Sequence, residues 1–260
     1  MTESRTLPTS AVRRAALSAG LETADLETAG VTRGGVPPVR ALPLHGALST
    51  LLPQGSLRGG TVVACEGAAS VSLALTVASA PSIAGSWVAV AGLPGLGLAA
   101  ATEAGVVLER LVRIAAPSPV PGAPRAGAPR ADSVWADLLA AAVDGFEVVI
   151  VGHETAGVSP STVRRLVARA AQRGTVFIAI GAPVFGADVR LETVAIDWRG
   201  LGEGYGIALG RHAEVCAAGR RLPGARRSRL WLPAVDGTVR HAATEATDSV
   251  GDSERLRSAG

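Results

Sequence analysis

The sequence predicts an α/β protein: a doubly wound, mostly parallel sheet with helices on both faces and antiparallel strands extending one edge. Three observations predict it. Short β-branched apolar runs alternate with helix-like segments about four times, the pattern of a parallel sheet. Those runs are almost wholly apolar, Arg113 and Glu147 aside, as strands buried on both faces are. From about residue 191 the helices stop, and short strands separated by glycine-rich turns follow.

Taken in order, residues 1–40 read as an N-terminal extension with one short helix around Ala11–Ala29, ended by Gly34-Gly35-Val36-Pro37-Pro38. Residues 41–60 form a lead-in, with Leu48, Leu51 and Leu52 ahead of turn-forming Pro53, Gly55, Gly59 and Gly60. Thr61–Cys65 is the first buried strand and Ser72–Ala80 the helix after it. Ser86–Ala91 is a strand, Pro94–Ala104 a helix ended by Gly105, and Leu111–Ala115 a third strand. Ala116–Ala131 holds five prolines and little to bury, so it reads as a flexible, partly polyproline insertion. Ser133 is placed to cap a helix whose Val134, Leu138, Leu139 and Ala142 share a face. Phe146–Val151 is the next strand. Ser159-Pro160 opens a helix with a capping serine and a proline at its first position, and Val163, Leu166, Val167, Ala170 and Ala171 form its inner stripe. Thr175–Ile180 is a strand, followed by shorter ones at Leu191–Trp198, Ile207–Leu209, Glu214–Ala217 and Arg229–Leu232. A core domain over 41–235 and a disordered polar tail over 236–260 complete the expected organisation.

Composition limits the function. All 25 basic residues are arginine; the chain has no lysine, which removes any chemistry that needs a catalytic or phosphate-binding lysine. Cys65 and Cys216 lie far apart in apolar stretches, with neither zinc spacing nor a disulfide framework, the usage of reduced cytoplasmic thiols. The first twenty residues have no apolar core, so no secretory signal is read there. Gly67–Thr102 carries no charge and is long enough to span a bilayer, but Pro81, Pro94 and several serines and glycines divide it into strand and helix. It reads as buried core, in a cytoplasmic protein without membrane contact.

In such a sheet, function sits where strands end and loops begin. The first strand runs into Cys65-Glu66-Gly67-Ala68-Ala69-Ser70-Val71-Ser72, where a phosphate-binding loop would stand. A working loop needs GxxxxGK[ST]. Here Gly67 starts it, but no Gly-Lys follows, Val71 stands where a flexible or cationic residue is wanted, and the loop is about two residues short. Gly67, Ala68, Ala69, Ser70, Val71 and Ser72 are therefore a degenerate nucleotide loop. The carboxylate expected after FEVVIV is replaced by Gly152 and His153, with Glu154 two positions late. SWVAVA ends in Gly92-Leu93-Pro94, with no acid to orient a water. Phosphoryl transfer then has neither charge neutralisation nor an activated nucleophile, so no catalytic residue, metal ligand or cofactor is assigned.

The layout resembles the RecA-type core. Leu51-Leu52…Gly55-Ser56-Leu57-Arg58-Gly59-Gly60-Thr61-Val62-Val63 is similar to the lead into the first RecA core strand. SWVAVAGLPGLGLAAATEAGVVLERLVRI resembles the next strand, helix and strand, and SVWADLLAAAVDGFEVVIVG the helix and strand that normally carry the magnesium-associated Asp. Within that superfamily the chain most resembles the ImuA-type mutasome accessory proteins of actinobacteria. That resemblance implies a RecA-like fold without ATP hydrolysis and a role in damage-induced mutagenesis. The implied partners are an ImuB-like Y-family polymerase homologue and, indirectly, an error-prone C-family polymerase. Two other readings stay open: a SulA-type cell-division inhibitor that binds FtsZ, and a divergent RecA-like ATPase.

Three further features bear on partners. Arg220, Arg221, Arg226, Arg227 and Arg229 form the densest basic run, a candidate contact for single-stranded DNA or an acidic partner, weighed against a solvated edge. Leu230, Trp231 and Leu232 alternate as a last edge strand or as a docking peptide. Arg165, Arg169 and Arg173 recur on one helix face and read as solvated, and His45, His153, His212 and His241 show no ligand spacing.

Overall fold

The computed structural model describes residues 40–52, 54–116, 131–181, 186–201 and 205–242. The helix expected over 11–29, the proline-rich segment over 117–130 and the tail from 243 lie outside these residues. A small antiparallel sheet comes first: β1 (Ala41–Pro43) pairs with β2 (Ser56–Arg58). Their buried Leu42 and Leu57, with Leu48, Leu51 and Leu52 between them, join the main core. The leucine-rich lead-in is thus a lid on the sheet.

The main sheet is built from β3 (Val62–Gly67), β4 (Val88–Ala91), β5 (Leu111–Ile114), β6 (Val148–Val151), β7 (Val176–Ile180), β8 (Val189–Leu201), β9 (Gly206–Ala218), β10 (Arg226–Trp231) and β11 (Arg240–His241). Its spatial order is β11-β10-β9-β8-β3-β7-β6-β4-β5. From β8 to β5 all neighbours are parallel, and β9, β10 and β11 add antiparallel strands beyond β8. This is the doubly wound, mostly parallel sheet with an antiparallel extension that the alternating pattern predicts. β3, the strand that feeds the loop, lies near the middle.

Two apolar layers sandwich the sheet. Val63, Cys65, Val88, Val90, Ile150 and Ile178 face α1 (Ser70–Ile83) and α2 (Leu98–Glu103). Val62, Ala89, Val149, Val151 and Phe177 face α3 (Ala131–Gly145) and α4 (Pro160–Arg173). Phe177 and Leu139 are fully buried in the second layer. Truncating either side chain to Ala would cost about 2–5 kcal/mol, transfer and cavity terms together.

α4 follows its sequence signals closely. Ser159 Oγ accepts from the Thr162 amide at 3.3 Å, Pro160 takes the first turn, and Gly174 closes the helix at φ 74°. Its outer arginines are not merely solvated: Arg169 and Arg173 grip Asp144 of α3, Arg173 Nε lying 3.1 Å from Asp144 Oδ1. Elsewhere boundaries shift. α1 begins at Ser70 and continues through Pro81 to Ile83; α2 starts at Leu98, after the Pro94–Gly97 turn; α3 starts ahead of Ser133, because Ala131 and Asp132 also suit a helix. The two strands expected at 207–209 and 214–217 are one continuous β9. The chain also stays ordered past Asp236, since β11 pairs with Leu230 and Trp231 of β10. No helix among the described residues is long and apolar enough to cross a membrane.

Candidate functional site

The cleft at the C-terminal ends of the parallel strands is lined by glycines. β3 ends in Gly67, and Gly92, Gly152 and Gly181 follow β4, β6 and β7 directly. Three of these positions have no room for a side chain. A Cβ on Gly67 would strike the Thr193 carbonyl oxygen of β8, and its φ is 81°. A Cβ on Gly92 would lie 2.7 Å from Thr155 Cγ2, again at a positive φ of 66°. A Cβ on Gly152 would lie 2.5 Å from the Gly92 carbonyl oxygen and 2.8 Å from Leu93 Cβ. Backbone hydrogen bonds hold that crossing in place: Gly152 N donates to Ala91 O at 2.8 Å and Glu154 N to Gly92 O at 3.1 Å. The acids whose absence the sequence shows after β4 and β6 are therefore missing for a steric reason. Gly152 is closed by the Gly92 carbonyl and Leu93 Cβ, and Gly92 by the Thr155 side chain and its own positive φ.

Only Ala68 and Ala69 separate β3 from α1, so the loop is as short as its sequence suggests. Ala69 provides no side-chain cap, leaving the first amides of a 14-residue helix without one. Ser72, which would hold a metal in a working loop, is engaged differently. Its Oγ accepts from Arg211 Nη2 at 2.8 Å. Arg211 comes from β9, and its Nε donates to the Leu232 carbonyl at 2.5 Å. Its guanidinium stacks 5.2 Å from the Trp198 ring centroid on β8. Burial pushes the Arg211 guanidinium down from its ordinary value, and among the described residues it has no carboxylate partner. A fixed cation thus stands at the positive end of α1, tied to the hydroxyl that a metal would need.

Arg211 lies on β9, ahead of the basic run that starts at Arg220. The alternation of β9 is the signal that finds it, since Ala213, Val215 and Ala217 all point into the α1 layer and position 211 continues that row. Glu66, beside the loop, lies on the opposite face, where Arg190 Nε sits 3.1 Å from its Oε1. His153 and Glu154 lie exposed on a short 3-10 turn after β6. No group of three or more metal-ligating side chains occurs among the described residues. A nucleotide with magnesium does not fit these residues: there is no lysine, no room for the strand-end acids, and an arginine on the hydroxyl.

The basic run does not form one patch. Arg220 and Arg221 both approach Asp188 Oδ1, at 3.0 and 3.4 Å. The other oxygen of that nearly buried Asp188 accepts from Val62 N at 3.0 Å, at the start of β3 and away from the cleft. Arg227 pairs with Glu214 at 2.9 Å, and Arg229 lies exposed in register with Glu214. Arg226 points to the other face of β10, with Nη1 3.5 Å from the Thr50 carbonyl. Leu230 and Leu232 are fully buried core residues, so they are not a surface docking peptide. Trp231 is half-buried, its ring 3.7 Å from that of buried His212.

Among solved structures, the RadB recombinase is similar, with a TM-score of 0.49 and 14% identity, over 76% of this chain and 97% of that one. Among curated proteins, the uncharacterized protein Rv3395c of Mycobacterium tuberculosis (strain ATCC 25618 / H37Rv) is 34% identical over 143 residues, 54% of this chain and 62% of that protein. The match therefore spans less than two thirds of that relative. The model of the MT3502 N-terminal domain matches residues 50–185, just over half of the chain and all of the strand–helix alternation from β2 to β7. On that match, the chain belongs to the MT3502 N-terminal domain family.

Proposed function

We propose that this chain is a non-catalytic RecA-like accessory protein of damage-induced mutagenesis. In this reading it is a cytoplasmic scaffold that binds an ImuB-like Y-family polymerase homologue and, through it, an error-prone C-family polymerase at lesions. The single observation that supports the non-catalytic half is the closed strand-end row. Gly67, Gly92 and Gly152 have no space for a side chain, and Arg211 holds Ser72. Phosphoryl transfer needs mobile charge neutralisation and an oriented nucleophile, and these residues supply neither. The resemblance of the core to ImuA-type proteins supports the partner half.

In this reading the sheet is a rigid platform, and binding rather than chemistry is the activity. DNA contact through Arg220, Arg221, Arg226, Arg227 and Arg229 is not required by this reading, because Asp188 and Glu214 already pair with three of the five. The test is a pull-down with the full chain from DNA-damaged cells. Recovery of a Y-family polymerase-like protein, rising with damage, is expected. Recovery of the tubulin-like division protein instead would overturn the reading.

A further inference from the structure

A cavity of about 440 Å³ opens at the other end of the sheet, where the strands begin. Thr61, just ahead of β3, and Val189, the first residue of β8, both line it, so it lies opposite the strand-end cleft. Leu52, Leu57 and Leu222 add apolar lining, and Arg58 and Arg221 bring charge. Among the described residues no carboxylate lines this cavity, and Arg58 has no ion-pair partner. Arg221 has only a share in one, because its Nε, 3.4 Å from Asp188 Oδ1, competes with Arg220 for that single carboxylate. Positive charge is therefore in excess beside an apolar lining.

One side of the cavity is a strand edge, since Ser56, Leu57 and Arg58 of β2 all line it and β1 does not. Gly59 N donates to Arg40 O at 2.8 Å and Leu44 N to Gly55 O at 3.1 Å, so in the β1–β2 register the hydrogen-bonded pairs are Arg40–Gly59, Leu42–Leu57 and Leu44–Gly55. Ser56 and Arg58 fall between them and turn their backbone groups away from β1. The Arg58 carbonyl is taken by Thr61, through its N at 3.1 Å and its Oγ1 at 2.6 Å. The Ser56 N–H, the Ser56 carbonyl and the Arg58 N–H have no partner among the described residues. Such an open donor–acceptor row beside a pocket is what an extended chain adds to. Side chains alternate along β2, with Leu57 buried and Arg58 exposed, so an added strand would set an aliphatic residue beside Leu57 and an acidic one beside Arg58. We propose that this cavity docks an extended partner peptide of alternating acidic and aliphatic residues, added to the free edge of β2. The site needs no part of the accessory role proposed above.

The test is a fluorescence anisotropy titration of the full chain with a labelled peptide amide that alternates glutamate and leucine, beside its lysine–leucine counterpart. Amide hydrogen exchange of the same complex, followed by NMR, reads the backbone. The glutamate–leucine peptide should bind saturably, the lysine–leucine peptide should not, and exchange of the Ser56 and Arg58 amides should slow. Arg58→Glu should weaken binding at least ~10-fold, because attraction becomes repulsion. Arg58 is exposed and carries no ion pair among the described residues, so the variant should keep the wild-type unfolding midpoint. Arg58→Gln should weaken binding in the same direction, and it carries the test if the charge reversal does not fold. No saturable binding would overturn the proposal and leave the edge to solvent or to another segment of this chain. So would equal binding of the lysine–leucine peptide, unchanged affinity in the Arg58 variants, or protection that spares the Ser56 and Arg58 amides. Displacement of the peptide by acetate at constant ionic strength would reduce the cavity to a simple anion site, and self-association that the peptide reverses would make a second copy the occupant; either result overturns the proposal.

Discussion

Replacing Gly152 with Ala probes the closed cleft directly. The backbone at this position has φ −99° and ψ −174°, which alanine adopts without strain, so only packing opposes the change. The added methyl would meet the Gly92 carbonyl oxygen at 2.5 Å and Leu93 Cβ at 2.8 Å. Neither is the free end of a flexible side chain, and the crossing is pinned by the Gly152–Ala91 and Glu154–Gly92 backbone bonds. Forcing an extra carbon into such a place costs about 1–3 kcal/mol, with the upper half expected where backbone must move. The lower entropy of an unfolded alanine returns about 0.4–1 kcal/mol. A net loss of about 1–2.5 kcal/mol remains, equal to a fall of roughly 2–10 °C in midpoint for a domain of this size. Gly157→Ala is the control, because nothing lies within 4 Å of a Cβ there and its φ is not positive. That variant should match wild type or exceed it by up to ~1 kcal/mol. Urea and thermal unfolding of the two variants, read side by side, give the answer. If Gly152→Ala unfolded at or above the wild-type midpoint, the steric account of the missing acid would be refuted.

Four other outcomes follow from particular contacts. Arg211→Ala removes the bonds to Ser72 and the Leu232 carbonyl and the stack on Trp198. It should lower stability by about 1–3 kcal/mol in urea unfolding and shift tryptophan emission to the red. Burial alone would raise the Asp144 carboxyl, but Arg169 and Arg173 outweigh it and hold it below the ordinary range. Its contribution is therefore present above the unfolded value and lost as pH falls through the lower folded one; Asp144→Asn should cost about 0.5–1 kcal/mol at neutral pH and flatten that acid limb of a stability–pH curve. His45 is held below its ordinary value by burial first and by His241 second, and its Nδ1 accepts from the Ala47 amide. Unfolded chains then bind its proton more readily, so stability is complete above the unfolded value near 6.5 and declines as pH falls below it, while His45→Gln should remove that decline. Arg226→Ala with Arg227→Ala should leave the salt dependence of single-stranded DNA binding unchanged in a fluorescence titration, since Arg227 is already paired with Glu214; a slope shallower by about 1 or more would show that these arginines contact phosphates.

Much of this fold was legible in the sequence because buried parallel strands carry a strong signal. TVVAC, WVAVA, EVVIV and VFIAI are dense apolar runs between helices, and each falls on β3, β4, β6 or β7. Ser159-Pro160 and Gly174 marked α4 because capping is local chemistry. The β8–β9 ribbon was not legible as a unit. Beyond the sheet edge no core imposes alternation, and Gly200, Gly206 and Gly210 look like breaks although pairing resumes beyond the irregularity at Gly200. β1, β2 and β11 are two or three residues long, too short for a periodic signal.

At the site, the absences of lysine and of acids after β4 and β6 could be read directly. Their cause could not, because a glycine in sequence does not reveal the carbonyl that lies against it. The role of Arg211 is hidden for a related reason. Its inward direction is set by the register of β9 against β8, which composition does not carry. The five-arginine run looked like one patch because sequence proximity ignores that Arg226 and Arg227 point to opposite faces of β10.

The central claim of the proposed function is that the cleft at the strand ends lacks the groups to bind and cleave a nucleotide. The most direct measurement is equilibrium binding and turnover of ATP with Mg²⁺ by the purified full chain, with and without single-stranded DNA. The account predicts no saturable binding at micromolar nucleotide and no ADP formed above the buffer control. Saturable binding accompanied by DNA-stimulated hydrolysis would contradict it.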